Sequence, residues 1–226
     1  MKPAQLTFYF LYLFVVIADI MLMLSHADQF RYFTKPLLMP MLMLSLIVAT
    51  PKTSHVRSKS LILLALTFCL LGDILLLFQK DDIIYFQYGL AAFLVGHIFY
   101  ILFFTRIKPF TKNNALFTFF CGIGILAYII FLLVILWRNL AKEQLEIPVA
   151  AYAFTIGFLL LSTLNLLTNR RMRNIAWTYF IPGSALFILS DSILALKKFN
   201  EKISHNNLFI MITYVIAQFL LISGAS

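Results

Sequence analysis

The chain has 226 residues, 62% of them hydrophobic and 12% charged, with a mean hydropathy of +0.93. A water-soluble domain of this length needs far less apolar surface for its core, so water is excluded as the main solvent. The formal charge of +9 does not indicate nucleic acid, because such a binder gathers Lys and Arg on one folded surface, whereas here they punctuate the connections between apolar runs.

A membrane-spanning helix needs roughly 20 predominantly apolar residues. In chain order, the sequence predicts eight, near residues 5–25, 34–50, 59–78, 83–105, 113–137, 148–168, 174–197 and 206–223. The first could be taken for a signal peptide, since Ser25 and Ala27 resemble a small-residue cleavage site. Its apolar stretch is too long for a signal core, and it is read as a mature span. The second is short and holds Pro36 and Pro40, with Pro51 just beyond. Pro is tolerated in a first turn, and Pro40 need only kink the helix; a re-entrant second segment would leave seven spans. The expectation is an all-α integral membrane protein, a bundle of about eight transmembrane helices forming a single transmembrane domain over residues 1–226.

The loops after even-numbered spans carry Lys52, Arg57 and Lys59, then Arg106, Lys108 and Lys112, then Arg170, Arg171 and Arg173, on the same side as Lys2. The bias over the opposite loops, with Arg31, Lys80, Arg138, Lys142, Lys197, Lys198 and Lys202, makes that side cytoplasmic, both termini included. The acids Asp28, Asp81, Asp82, Glu143, Glu146 and Glu201 all fall outside. Cys69 and Cys121 lie inside spans as small apolar residues and imply no disulfide. The third and seventh spans echo one another: Leu71-Gly72-Asp73-Ile74-Leu75-Leu76 against Leu189-Ser190-Asp191-Ser192-Ile193-Leu194. Two four-helix units in the same orientation would form a parallel repeat.

A charge near the bilayer centre costs at least about 2.5 kcal/mol on insertion scales, so each one needs a partner, a cavity or a function. Asp19, Lys35, Asp73, His97 and Asp191 are the ionisable residues inside spans. The three acids each lie five or six residues before the outer end of their span, roughly 8 to 9 Å below it. Lys35 and Tyr152 enter from the same side, so the polar groups converge at one depth, while His97 sits deeper. One reading of Asp73 and Asp191 is glue between helices, each hydrogen-bonded or paired with Lys35. The other is a carboxylate pair in a partly apolar cavity, one protonated and one ionised, as general acid and base chemistry needs. Lys35 reads as a snorkelling cation, or as one that holds a phosphate or tunes the Asp pair. His97 reads as a satisfied histidine within the bundle or as a site residue, and Asp19 as structural. Gly122 and Gly124 read as points of close helix contact. His26, His55 and His205 lie in loops on both sides of the membrane, so no three histidines can share a zinc site. No phosphate-binding glycine loop or nucleophile elbow occurs.

The ordered set Lys35-Pro36-Leu37-Leu38-Met39-Pro40, Leu71-Gly72-Asp73, Gly96-His97-Ile98-Phe99-Tyr100 and Pro182-Gly183-Ser184 through Ser190-Asp191 resembles the YhhN, or lysoplasmalogenase, family of multi-pass membrane proteins. Tyr152, Tyr214 and Ala217-Gln218 also fit, and the resemblance covers nearly the whole chain. It implies eight spans and hydrolysis of the vinyl ether bond of lysoplasmalogens to a fatty aldehyde and a glycerophospho-alcohol. It also implies Asp73 and Asp191 as the essential acids. Protonation of the vinyl β-carbon and capture of the oxocarbenium ion by water suit two carboxylates without metal or cofactor, much as in glycoside hydrolysis. Lys35, Tyr152, His97, Tyr214 and Gln218 are the expected substrate-binding residues. The expected partners are a lysophospholipid and membrane lipid, with no nucleic acid, and the expected location is the cytoplasmic membrane of a bacterium. Competing readings are a lipid or small-molecule carrier or scramblase with a proton-coupled Asp pair, and a non-catalytic assembly factor.

Overall fold

A computed structural model describes residues 3–49, 56–79, 82–199 and 207–226. His55, His205, Lys2, Lys52, Lys80, Asp81, Glu201 and Lys202 lie outside the described residues. Those described form helices α1 (Pro3–Leu24), α2 (Arg31–Ala49), α3 (Val56–Leu77), α4 (Ile83–Ile107), α5 (Ala115–Glu143) and α6 (Glu146–Asn165), then α7 (Arg173–Phe199) and α8 (Asn207–Ala225). All eight are long and apolar enough to cross a membrane, and no strand occurs among the described residues. Helix is the form in which a single segment satisfies its own backbone in hydrocarbon.

Two helices differ from expectation. α2 starts at Arg31 and runs unbroken through Pro36 and Pro40, so Pro36 sits beyond the first turn; spanning helices accept such breaks because neighbouring groups re-satisfy the freed carbonyls. α5 continues to Glu143, through a stretch with no Gly or Pro to stop it. At 29 residues it is about 43 Å long, more than the hydrocarbon requires. Gln144 then ends it in the left-handed conformation, φ 54°. Leu145 donates back to the Leu140 carbonyl at 3.1 Å, and both leucines are buried, as in a Schellman cap. His26, φ 56°, plays the same part after α1, where Ala27 donates to the Leu22 carbonyl at 2.9 Å. Pro148 lies in the first turn of α6, where its missing N–H costs nothing.

The backbone divides into two compact units, with one boundary inside α4. The first holds residues 1–99 with Ala225 and Ser226. There α1 packs on α2 and α2 on α3. α1 buries Gln5, Tyr9, Tyr12, Val16, Asp19 and Met23, a stripe at helical spacing that is more polar than the exposed Phe10, Phe14, Ile17 and Met21. This inversion follows from a solvent of acyl chains: polar groups turn inward and apolar ones face lipid. α3 and α4 approach closely, since a Cβ on Gly72 would stand 2.5 Å from the Phe93 ring and one on Gly96 3.1 Å from the Ala65 carbonyl oxygen.

The second unit holds residues 100–224. Gly157 of α6 meets Ile129 of α5, Thr163 of α6 bonds Ser184 of α7 at 2.8 Å, and Gly183 of α7 approaches Ala217 and Leu221 of α8. Phe103, Phe104 and Phe180 stack edge to face. α5 is mostly lipid-facing, exposing Phe119, Phe120, Ile130, Phe131 and Val134. Gly122 and Gly124 are not the contact points expected of them: a Cβ on Gly122 would lie 3.9 Å from Leu161, and one on Gly124 would meet nothing within 4 Å. Gly124 stands on the exposed face of α5, and Gly122 has only ordinary van der Waals room beside Leu161 of α6. Gly72→Ala is therefore expected to lower the melting temperature of detergent-purified protein, at a cost of about 1 to 3 kcal/mol for overpacking against Phe93. Gly124→Ala is expected to leave it unchanged or raise it, since Ala is the better helix former.

Candidate functional site

In the first unit the polar groups centre on the start of α2. Arg31, Thr34 and Lys35 stand at i, i+3 and i+4 and so share one face. Arg31 donates to Asp19 of α1, Nη2 to Oδ2 at 3.0 Å, and Thr34 Oγ1 donates to Asp19 Oδ1 at 2.6 Å. Asp19 is wholly buried, and these bonds fit its structural reading. Lys35 Nζ lies 3.2 Å from Asp73 Oδ1 of α3, with the side chains 14% and 2% exposed. This is the pairing with Lys35 that the sequence offered as one reading of Asp73. Buried Tyr12 of α1 is within electrostatic reach of Asp73. His97 of α4 is fully buried and stacks on Phe93 with ring centroids 6.5 Å apart; the Phe93 ring is the one that closes over Gly72, next to Asp73.

In the second unit, three consecutive residues of α7 reach three different helices. Ser190 Oγ donates to the Ile210 carbonyl of α8 at 3.0 Å. Tyr152 of α6 donates its hydroxyl to Asp191 Oδ2 in a short hydrogen bond. Tyr128 of α5 donates to Ser192 Oγ at 2.8 Å. Successive residues of a helix point about 100° apart, so only a helix walled on several sides can bond them all. Asp191 is half-buried and Tyr152 is 7% exposed. On α8, Tyr214 packs edge to face on Phe187 with centroids 5.6 Å apart. One turn later Gln218, fully buried, accepts a 2.8 Å hydrogen bond from Tyr100 at Oε1. Its Nε2 is buried with no hydrogen-bond partner among the described residues. A buried, unused amide group can bond a polar ligand atom, and most such groups in proteins are satisfied.

Of the residues named from sequence, Lys35 and Asp73 are thus joined, as are Tyr152 and Asp191, while Tyr214 and Gln218 share a face of α8. Sequence reasoning missed Arg31 and Thr34 as partners of Asp19, and also Tyr12 and Tyr128, and it placed Tyr100, Ser190 and Ser192 in motifs without a role. The legible signals were the i, i+3, i+4 spacing before Pro36 and the Ser-Asp-Ser run in an apolar span. Among the described residues, no three or more His, Cys, Asp or Glu side chains are grouped as metal ligands.

The model of the YhhN family matches residues 30–225. Lysoplasmalogenase TMEM86B of Rattus norvegicus is 33% identical over 161 residues, covering 71% of this chain and 59% of that protein. Lysoplasmalogenase TMEM86A of Homo sapiens is 29% identical over 172 residues, covering 74% of this chain and 66% of that protein. Lysoplasmalogenase TMEM86B of Mus musculus is 33% identical over 162 residues, covering 71% of this chain and 61% of that protein. The chain therefore spans less than two thirds of the length of these relatives. No solved structure matches it. The family match takes in the seven helices α2 to α8 and the end of the first connection, and with them Lys35, Asp73, His97, Tyr152, Asp191, Tyr214 and Gln218; the chain belongs to the YhhN family.

Proposed function

We propose that this protein is a membrane hydrolase that cleaves the vinyl ether bond of lysoplasmalogen-type lysophospholipids, with Asp73 and Asp191 as the acids on which the reaction depends. The observation that carries this reading is that each carboxylate sits inside an apolar helix and is engaged by a side chain from a neighbouring helix of its own unit, Lys35 or Tyr152. The names of the relatives support the substrate class. In the reaction a carboxyl group protonates the β-carbon of the vinyl ether, the α-carbon becomes an oxocarbenium ion, and water adds to it as a carboxylate accepts its proton. The hemiacetal collapses to one aldehyde and one glycerophospho-alcohol, so one water is consumed and no electrons are exchanged. Lys35 and His97 in the first unit and Tyr152, Tyr214 and Gln218 in the second are the proposed substrate-binding residues, and apolar helix faces hold the alkenyl chain. Lys35 then serves through its charge on Asp73 as well as on the substrate.

Detergent-purified protein given lysoplasmenyl-ethanolamine is expected to release aldehyde at a rate that EDTA does not change, because the chemistry needs no Lewis acid. Binding of the lipid without aldehyde release would overturn the hydrolase, and loss of activity in EDTA restored by zinc would overturn the metal-free route.

The proposed orientation places both termini and Lys108 in the cytoplasm of a bacterial cell, with Glu143, at the far end of α5, outside. Single-cysteine variants Lys108→Cys and Glu143→Cys, in a chain with Cys69 and Cys121 replaced, are expected to react oppositely with an impermeant maleimide in sealed cells. Equal labelling would overturn the topology.

A further inference from the structure

At the N-terminal end of α7, a cavity of about 670 Å³ is lined by Asn114, Leu167, Thr168, Arg173, Asn174, Trp177 and others. This is within the size range of small-molecule sites. Its polar groups converge from three elements. Arg173 is fixed by one bond, Nε to the Leu167 carbonyl at 3.1 Å, leaving both terminal amino groups of the guanidinium unused among the described residues. Asn174 and Thr178 add exposed side-chain donors, and Trp177 is 68% exposed. Trp177 and Thr178 stand on the π-helical segment Ala176–Phe180, whose wider turn shifts their directions relative to an α-helix; such segments occur frequently at functional sites.

A planar guanidinium with two open N–H edges matches a phosphate oxygen pair. An exposed indole beside it marks the depth of lipid headgroups. Arg170, Arg171 and Lys112 lie within three residues of lining residues in the chain, and no Asp or Glu lines the cavity. We infer that this cavity binds the phosphate headgroup of an anionic phospholipid. It is not the site of the reaction proposed above. Arg173 and Asp191 are eighteen residues apart on α7, about 27 Å along the helix, whereas phosphate and vinyl ether in a lysoplasmalogen are separated by only a few bonds. The inference stands whether or not the protein is a hydrolase.

The chain has two tryptophans, so Trp137→Phe leaves Trp177 as the single reporter. In vesicles, quenching of Trp177 by phosphatidylglycerol with brominated acyl chains is expected to exceed quenching by the equivalent phosphatidylcholine. Both lipids offer the phosphate, but the choline cation of phosphatidylcholine repels the guanidinium, so the preference should be about fivefold, the scale of one charge near an anionic surface. Arg173→Gln is expected to remove it and Arg173→Lys to keep part of it, while Arg170→Gln and Arg171→Gln leave it largely intact. Equal quenching by the two lipids in the Trp137→Phe protein, which needs no change at the site, would overturn the inference. So would an equal loss from all three arginine variants, which would show diffuse attraction to a basic loop. Relief of quenching by millimolar inorganic phosphate would overturn the lipid assignment in favour of a soluble anion.

Discussion

Asp73→Asn and Asp191→Asn are each expected to lower aldehyde release by about 10² to 10⁴, the usual contribution of one acid or base group. Asn keeps the size of Asp and one hydrogen-bond acceptor but neither gives up a carboxyl proton nor carries the charge that steadies an oxocarbenium ion. If both serve one step, the double variant is little slower than either single one, because groups that act as a unit are grossly non-additive. Asp19→Asn is the control: its partners Arg31 and Thr34 tie α1 to α2, so it should cost stability without a selective loss of turnover. Near-normal turnover in both Asp73→Asn and Asp191→Asn, measured as aldehyde released per folded protein, would make these acids helix glue and refute the mechanism.

Lys35→Ala is expected to be nearly as damaging, and through Asp73. A lysine that met only the lipid phosphate would raise KM and spare kcat, because such a contact serves ground and transition states alike. The 3.2 Å ion pair inside the first unit points elsewhere. Removing one partner of a buried pair costs on the order of 3 to 5 kcal/mol, since the remaining charge is left without its counter-ion. The expected result is a lower melting temperature together with a fall in kcat. The Lys35→Met, Asp73→Asn double variant should recover part of the stability and none of the turnover, with a coupling energy of about 0.5 to 3 kcal/mol between the sites. An unchanged melting temperature with only KM raised would return Lys35 to a simple phosphate contact.

The number of helices, their order and their approximate ends were legible in the sequence, because a bilayer imposes one length and one composition on any segment that crosses it. The same pressure made Asp19, Lys35, Asp73, His97 and Asp191 conspicuous: an ionisable group inside an apolar run is costly wherever the helix turns it. Helix faces were harder to read. Acyl chains and neighbouring helices are equally apolar, so Gly122 and Gly124 looked like contact points although they face little or nothing, while Gly72 and Gly157 bear the close approaches. Partner choice was decided by tertiary structure alone. Arg31 was counted with a loop until α2 proved to begin with it and turn it onto Asp19. Lys35 could equally have met a phosphate, until packing of α2 on α3 set it beside Asp73. Tyr152 and Asp191 are 39 residues apart, and nothing local in the chain joins them. Hydrocarbon fixes which segments become helices, whereas only the rotation and packing of each helix decide which polar side chain meets which.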